Sequence, residues 1–444
     1  MMSEILANWG NYPKSEAKLL SFNSFKSASE LIENWDHFIP RGNGRCYGDS
    51  ALADKIVSTL KYDKFISFDQ LNGNISCQAG VLLCDIIDVV MPKGWFLPVT
   101  PGTKFITVGG AVAADIHGKN HHKEGSFSRH IIEVEILCDD NQVRICSKSV
   151  ETDLFEATCG GMGLTGIILK VKFQLKKIES AYVVQKKIKV RNLEEAMSMF
   201  GQYGDATYSM AWIDCLKGGK AFGRSIVLVG EHANVDQLPI KKRETPYKFN
   251  ERLRLSIPFN LPSLVLNKLS VKAFNTLYYN KTLSNYSESI ISYDEFFYPL
   301  DSIQNWNRMY GAKGFLQYQF VLPLDNSYKG LVDILGRIRK RGSGSFLAVL
   351  KLFGDQNDLI SFPMKGYTLA LDFPVSKGVF KFLDELDKVV LNYGGRIYLA
   401  KDARMNKEMF WKSYPHLDRF MSIIKKYNPD KQFSSIQSER LGLT

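Results

Sequence analysis

Three runs of small residues could bind through backbone rather than side chains. The first is Pro40-Arg41-Gly42-Asn43-Gly44-Arg45-Cys46-Tyr47-Gly48-Asp49. Closely spaced glycines let a chain turn tightly and bring its N–H groups up to phosphate oxygens. Arg41 and Arg45 could add charge. The second holds Gly102 in Pro98–Thr103, then runs Thr107-Val108-Gly109-Gly110-Ala111-Val112-Ala113-Ala114-Asp115-Ile116-His117-Gly118-Lys119-Asn120. Nothing between Thr107 and Ala114 is larger than valine, which suits a tightly packed turn or the floor of a groove for a flat ligand. The third is Cys159-Gly160-Gly161-Met162-Gly163-Leu164-Thr165-Gly166-Ile167. Each alone is a weak signal; three together could grip a dinucleotide.

His117, His121 and His122 raise a metal reading, since i, i+4 histidines on a helix can bind zinc. Gly118 and Asn120 oppose a stable helix there, and no carboxylate pattern accompanies them, so no metal is expected. Lys401 stands beside Asp402 and Arg404, a grouping that by itself reads most simply as a surface ion pair.

These residues need elements to hold them. Residues 1–178 alternate short strand-like runs with glycine-rich turns: 55–60, 66–69, 75–81, 131–138, 142–147 and 166–175. The spacing is too tight for repeated parallel crossovers, and one helix is expected over 81–94. From about 180 the glycines thin out. Helices are expected over 192–204, 328–342 and 379–395, and strands over 208–214, 225–231, 315–323, 345–353 and 367–374. This mixture predicts an α+β chain of two domains, the second an antiparallel sheet flanked by helices. The stretch after 396 is too short for a domain of its own.

The composition, 45% hydrophobic and 23% charged, is that of a globular chain. Seven cysteines without a CxxC pair suggest neither a disulfide framework nor a zinc knuckle, and a reduced compartment. No apolar run is long enough to span a bilayer, and the N-terminus lacks a signal pattern. The net charge is +11, and residues 241–281 carry nine basic residues against Glu244 and Glu251, interleaved with IPFNLPSLVLNKL. That suits contact with an anionic membrane surface or a lipid phosphate, or a solvated loop whose apolar residues pack beneath it. Nucleic acid is not expected, because no helix-turn-helix, RNP or zinc pattern accompanies the charge.

Taken together, the loops resemble the FAD-binding module of the vanillyl-alcohol oxidase (PCMH-type) superfamily, whose first loop reads R-G-x-G-x-S-x-G. PGTKFITVGGAVAADIHGKNHHKEGSFSRH, GMGLTGII, GFLQYQF, LKLFG, LDFP and GGRIYLAKDAR further resemble the decaprenylphosphoryl-β-D-ribose oxidase family in order and spacing. The resemblance implies an FAD domain from residues 1–178 joined by the returning segment 396–444, with 179–395 forming a substrate domain over the isoalloxazine ring. It implies oxidation of the 2-hydroxyl of a polyprenylphosphate-linked ribose. A keto-reductase partner of the short-chain dehydrogenase type then gives the arabinose epimer for cell-envelope polysaccharide. The basic and apolar segment 241–281 is expected to touch the inner face of the cytoplasmic membrane.

Lys401 corresponds to the family's active-site lysine, as base or as a cation beside a developing alkoxide. His117 and Lys119 fall at the flavin and the sugar, and Tyr398 at a flavin contact. The loop residues already quoted, with Gly109, Gly110, Ala114, Asp115, Gly118 and Ile167, would hold FAD. Tyr47, Tyr298, Gln317, Gln319, Lys351, Thr368 and Ala370 are substrate-pocket candidates. Gln317 and Gln319 would share a face, since strand side chains alternate. Arg45 stands where covalently attaching relatives often carry histidine, so the FAD is expected to be non-covalent. Cys46 replaces the loop serine and should cap a phosphate poorly. Ala370 stands where some family members have cysteine. A soluble sugar or aldonolactone oxidase and a non-enzymatic flavin-binding protein are the alternative readings.

Overall fold

Glycine-rich turns cut the N-terminal part into short strands that assemble as two small sheets. The structure, a computed structural model, describes residues 3–250, 255–262 and 265–444. Strands β1 (Glu4–Ala7), β2 (Lys14–Ser21), β3 (Ile39–Arg41) and β4 (Lys55–Ser58) form one sheet in the order β1-β2-β4-β3, with β2 and β3 parallel to β4. Strands β5 (Phe65–Asp69), β6 (Asn74–Gln78), β8 (Ile131–Leu137), β9 (Val143–Cys146) and β10 (Ile167–Gln174) form an antiparallel sheet ordered β5-β6-β10-β8-β9. Two short pairs complete the strand set: β7 (Trp95–Phe96) with β11 (Lys176–Lys177), and β15 (Leu255–Ser256) with β17 (Ile303–Gln304).

The second part is dominated by one antiparallel sheet of eight strands. These are β12 (Tyr182–Val190), β13 (Tyr208–Ile213), β14 (Ser225–His232), β16 (Tyr286–Ser292), β18 (Phe315–Pro323), β19 (Val349–Phe353), β20 (Gly366–Pro374) and β21 (Arg396–Ile397). They lie in the order β16-β12-β14-β13-β19-β20-β18-β21. Alternation sorts β18 into two faces. Leu316, Tyr318, Phe320 and Leu322 are buried apolar residues on the face carrying the helices Leu324–Arg341 and Val379–Asn392, where the Tyr318 phenol donates to Asp387 at 3.0 Å. Gln317 and Gln319 face the other way.

Several boundaries differ from the sequence reading for local reasons. Strand β19 begins at Val349 rather than 345, because the Ser345 N–H is taken by the Cys215 sulfur (3.2 Å) and the Phe346 carbonyl by the Trp212 indole (2.9 Å). The helix expected from 328 starts at Leu324, directly after Pro323 ends β18. Strands β12 and β16 went unread, since lysines and serines blur their alternation. The stretch after 396 folds back as the helices Lys407–Ser413, Leu417–Tyr427 and Ile436–Leu441. Its Ser434 and Ile436 N–H groups donate to the Phe38 and Leu52 carbonyls in the N-terminal part (3.0 and 2.8 Å). Arg440 bridges Asp49 of the first glycine loop (2.7 Å) and Asp402 (2.9 Å).

Within the basic stretch, Lys268–Lys281 is a helix rather than a loop, started by a capping box at Asn267 and Ser270. Its Leu269 and Leu277 are 77% and 72% exposed, and Phe259 and Leu283 also face solvent. Glu251, Arg252 and Arg254 of that stretch, and Ser263 and Leu264 within its apolar run, lie outside the described residues. Among the described residues no helix is long and apolar enough to cross a membrane.

Candidate active site

The three small-residue runs and the open face of the eight-stranded sheet enclose one cavity of about 940 Å³. Arg41 to Tyr47 form part of its wall. A Cβ on Gly42 would come within 2.2 Å of Thr107 Oγ1, so the first two runs meet without room for a side chain. The Asn43 amide donates to the Phe105 carbonyl (2.7 Å), tying the same loops. Arg41 is turned towards the Ala7 carbonyl (2.9 Å), and the Arg45 guanidinium lies 4.2 Å from the centre of the Trp9 ring. Burial raises the thiol pKa of Cys46 above its ordinary value. Thr107 caps the helix Val108–Ala113 by accepting the Gly110 N–H (3.1 Å). Gly102, Thr107, Gly109, Gly110 and Ala114 all line the cavity. The third run joins them through Met162 N–H to Ala113 O (2.9 Å) and contributes Met162, Gly163 and Gly166.

The segment after β21 delivers Lys401 to the cavity between the first loop and the sheet. The Tyr47 N–H donates to the Ala400 carbonyl (3.0 Å), and the Tyr398 phenol donates to the Ala114 carbonyl (3.1 Å). A Cβ on Gly48 would stand 1.6 Å from the Asp402 carbonyl oxygen, so only glycine lets the loop seat there. The Lys401 ammonium lies 3.7 Å from the centre of the Tyr47 ring. Burial brings the Lys401 pKa down to about 7, opposed by the charge of Asp372.

Two more cavity lysines share this depression. Lys119, which donates to the Phe297 carbonyl (3.1 Å), is brought down to about 7 by burial and then by Lys351. Lys351 is brought to about 8 by burial. Such amines lie near the balance between neutral and charged forms at neutral pH. A bound anion would hold them charged.

His117 meets Gln319 in the same wall. The Gln319 amide nitrogen is 3.1 Å from His117 Nε2 and can only donate, so Nε2 accepts and the ring proton sits on Nδ1. Nδ1 is buried with no hydrogen-bond partner among the described residues. Burial, then Lys351, holds the imidazole well below its ordinary pKa, so it is neutral. Gln317, on the same face, instead donates to Asp372 (2.7 Å), which also accepts from the Tyr310 phenol (3.0 Å). Burial pushes the Asp372 carboxyl up to about 6.

Six expected contact residues lie behind the wall. Gly48 packs on Asp402 as above. Val108 is fully buried, and its N–H donates to the Val81 carbonyl (2.9 Å). Asp115 accepts from the Ser128 N–H (2.9 Å), Ser361 (2.5 Å) and Gln356 (2.9 Å), holding the loop rather than a ligand. Ile167 packs with Phe22, Phe38 and Val57, because strand alternation sends Gly166 and Ile168 to the cavity instead. Tyr298 is fully buried with its phenol 2.6 Å from Thr100 Oγ1, and Thr100 faces the cavity. Thr368 donates to the Phe320 carbonyl (2.8 Å) and accepts from Gln319 (3.3 Å). Gly118, Ala370 and Tyr398 do line the cavity.

Of the three histidines, His121 Nε2 pairs with Gln356 (2.7 Å) and His122 Nε2 with the Ala206 carbonyl (2.8 Å). Sequence reasoning missed Asp372, although it stands two residues after Ala370 and period two puts both on one face. It also missed Trp9, which no local pattern marks.

A cavity with one wall of close backbone turns and one wall of buried amines, an imidazole and amides suits a flat, phosphate-bearing cofactor. FAD is a molecule of that kind, with a pyrophosphate that close backbone turns could hold and a flat ring that the polar wall could face. The profile of a family described as FAD binding domain matches residues 29–147. In overall fold the chain is similar to the moss protein Physcomitrella patens BBE-like 1, with a TM-score of 0.66 at 14% identity, covering 94% of this chain and 89% of that one. The fold is therefore of the PCMH-type flavin class, and the cofactor is FAD. The chain is 20% identical to mouse L-gulonolactone oxidase over 90% of its length and 88% of that protein. It is 36% identical to decaprenylphosphoryl-β-D-ribose oxidase of Mycolicibacterium smegmatis over 99% of its own length and 97% of that protein. Likeness of that depth along the whole chain goes well beyond a shared flavin fold: the chain belongs to the decaprenylphosphoryl-β-D-ribose oxidase family.

Proposed function

We propose that this enzyme oxidises the 2-hydroxyl of a polyprenylphosphoryl-β-D-ribose to the 2-keto sugar. The observation that carries the reading is Lys401: a buried amine with its pKa brought to about 7, held against the first glycine loop and facing the Gln317 and Gln319 side of the sheet. Turning a carbinol into a ketone requires loss of the hydroxyl proton and of the hydride on the same carbon. The neutral form of Lys401 accepts the proton, and the ammonium so formed offsets negative charge left in the cavity. FAD, when bound, supplies the acceptor for the hydride. Arg41 to Tyr47 with Thr107, Gly109, Gly110 and Gly163 hold it without a covalent bond, since Arg45 takes the place of an attaching histidine. His117, kept neutral and oriented by Gln319, has a buried Nδ1–H that would be available to the cofactor. Lys119 and Lys351 attract the sugar phosphate.

In this reading, residues 1–178 and 396–444 make the flavin domain and 179–395 the substrate domain. A keto-reductase completes an epimerisation to arabinose, and residues 241–281 touch the inner face of the cytoplasmic membrane. Anaerobic mixing of the holoenzyme with polyprenylphosphoryl ribose tests the proposal. The flavin absorbance bleaches if it is correct. Bleaching with free sugars or aldonolactones alone would transfer the chain to the alternative substrate class.

A further inference from the structure

The cavity extends well past the flavin side of the sheet, and its chemistry changes along the way. Register partners across four strands form one row: Gln319 opposite Ala370, Ala370 opposite Val349, and Val349 opposite Trp212. At about 4.8 Å per strand, the row runs about 14 Å from the amide that orients His117 to an indole. Beyond Gln319 it is wholly apolar, and it is widened by Met210 and Leu228, a second cross-strand pair lining the same cavity.

The far end is roofed by the helix Lys268–Lys281. Its Tyr278 ring lies 4.7 Å from Trp212, and its Phe274 lies 5.5 Å from Phe346. Phe274 and Tyr278 are four residues apart and so share a helix face. Both line the cavity, yet they are 42% and 40% exposed. The roof is anchored from beneath, because Asn275 donates to Asp214 (3.0 Å), itself paired with Arg224 (2.8 Å). Its outer side carries Leu269 and Leu277 among Lys268, Lys272 and Lys281. A largely apolar path, bordered by Lys187 beside Leu228, thus leads from the redox end of the cavity, under this helix, to a surface that is both apolar and basic.

We infer that this strip is the binding site for the first isoprene units of a polyprenyl phosphate, and that the helix Lys268–Lys281 is the rim over which the chain leaves towards an anionic bilayer. The inference rests on the proposed substrate class and names its lipid subsite. Leu228 and Phe274 act on the hydrocarbon alone, since neither reaches the redox end.

The test uses FAD-loaded enzyme and two probes without sugar, geranylgeranyl phosphate and dimethylallyl phosphate, titrated calorimetrically below micellar concentrations. The longer chain should bind tighter by on the order of tenfold or more, because it buries more methylene groups. Leu228→Gln and Phe274→Ser, each retaining wild-type flavin absorbance, should each remove most of that advantage while leaving the one-unit phosphate unaffected. Equal affinities for the two phosphates overturn the inference, as does a chain-length preference that survives both substitutions. Binding of a prenylated benzoquinone with no response to the long phosphate would assign the strip to an electron acceptor, and would also overturn it. Since neither probe can be oxidised at a sugar, these outcomes are separate from whether polyprenylphosphoryl ribose bleaches the flavin.

Discussion

The two walls of the cavity are built on opposite principles. The loop wall is shaped by main chain: its glycines bring Gly42 against Thr107 and Gly48 against the Asp402 carbonyl, and a few longer side chains, among them Arg45, Tyr47, His117 and Lys119, complete the lining. The sheet wall binds with side chains set by strand alternation, and its strips differ in polarity, from Lys351, Gln317 and Asp372 to Val349 and Trp212. At Gly42 and Gly48 the first wall leaves no room for an added atom, whereas the second is built from side chains that differ in shape and charge. A cofactor common to many chemistries suits the first, and a substrate with both an anionic and an apolar part suits the second.

The largest effect expected is at the loop wall. Gly48→Val places a Cβ inside the Asp402 carbonyl, an overpacking cost of about 3 kcal/mol or more, and the purified protein should be colourless. A yellow, active variant would show that the backbone contact is dispensable. Lys401→Ala should keep its flavin but slow anaerobic reduction by about 10²-fold or more, the usual share of a positioned acid or base. Reduction at the parent rate would remove Lys401 from proton transfer.

Gln319→Leu takes away the donor that sets the His117 tautomer, and flavin reduction should slow by about 5- to 10-fold, one hydrogen bond's worth. Asp372→Asn sharpens the sheet-wall side through pH. With Lys401 neutral as the active form, reduction should rise with pH and level off above about 7. The Asp372 carboxylate stabilises the ammonium and so raises that pKa. Its neutralisation should therefore move the rise to lower pH, and a shift to higher pH contradicts the pairing. Smallest of all, Tyr298→Phe removes the hydroxyl that meets Thr100 behind the wall. It should lower Tm by no more than about 3 °C, with kcat/KM unaltered.

Much of the loop wall was legible, because a run such as Thr107–Ala114 carries its reason in its own composition: no side chain, hence close approach. The errors there were errors of direction. Ile167 and Asp115 sit inside the right motifs, but strand alternation and a local hydrogen-bond network turn them from the cavity. Strand alternation also put Gln317 and Gln319 on one face, yet nothing local said that one would serve Asp372 and the other His117. The helix Lys268–Lys281 was hidden for another reason: its apolar residues lie on two faces, one against the cavity and one towards solvent, so no single stripe marks it.

By itself the sequence determined the close-packed small-residue turns, the α+β character and the strands whose alternation is strong, since these follow from local sterics and periodicity. Local pattern read Lys401 as a surface ion pair and only the family resemblance made it an active-site lysine; the tertiary structure shows it as a cavity amine. Its neighbours come from segments hundreds of residues apart, and burial, the cause of its depressed pKa, exists only once Tyr47, Asp372 and the returning C-terminal segment have closed around it.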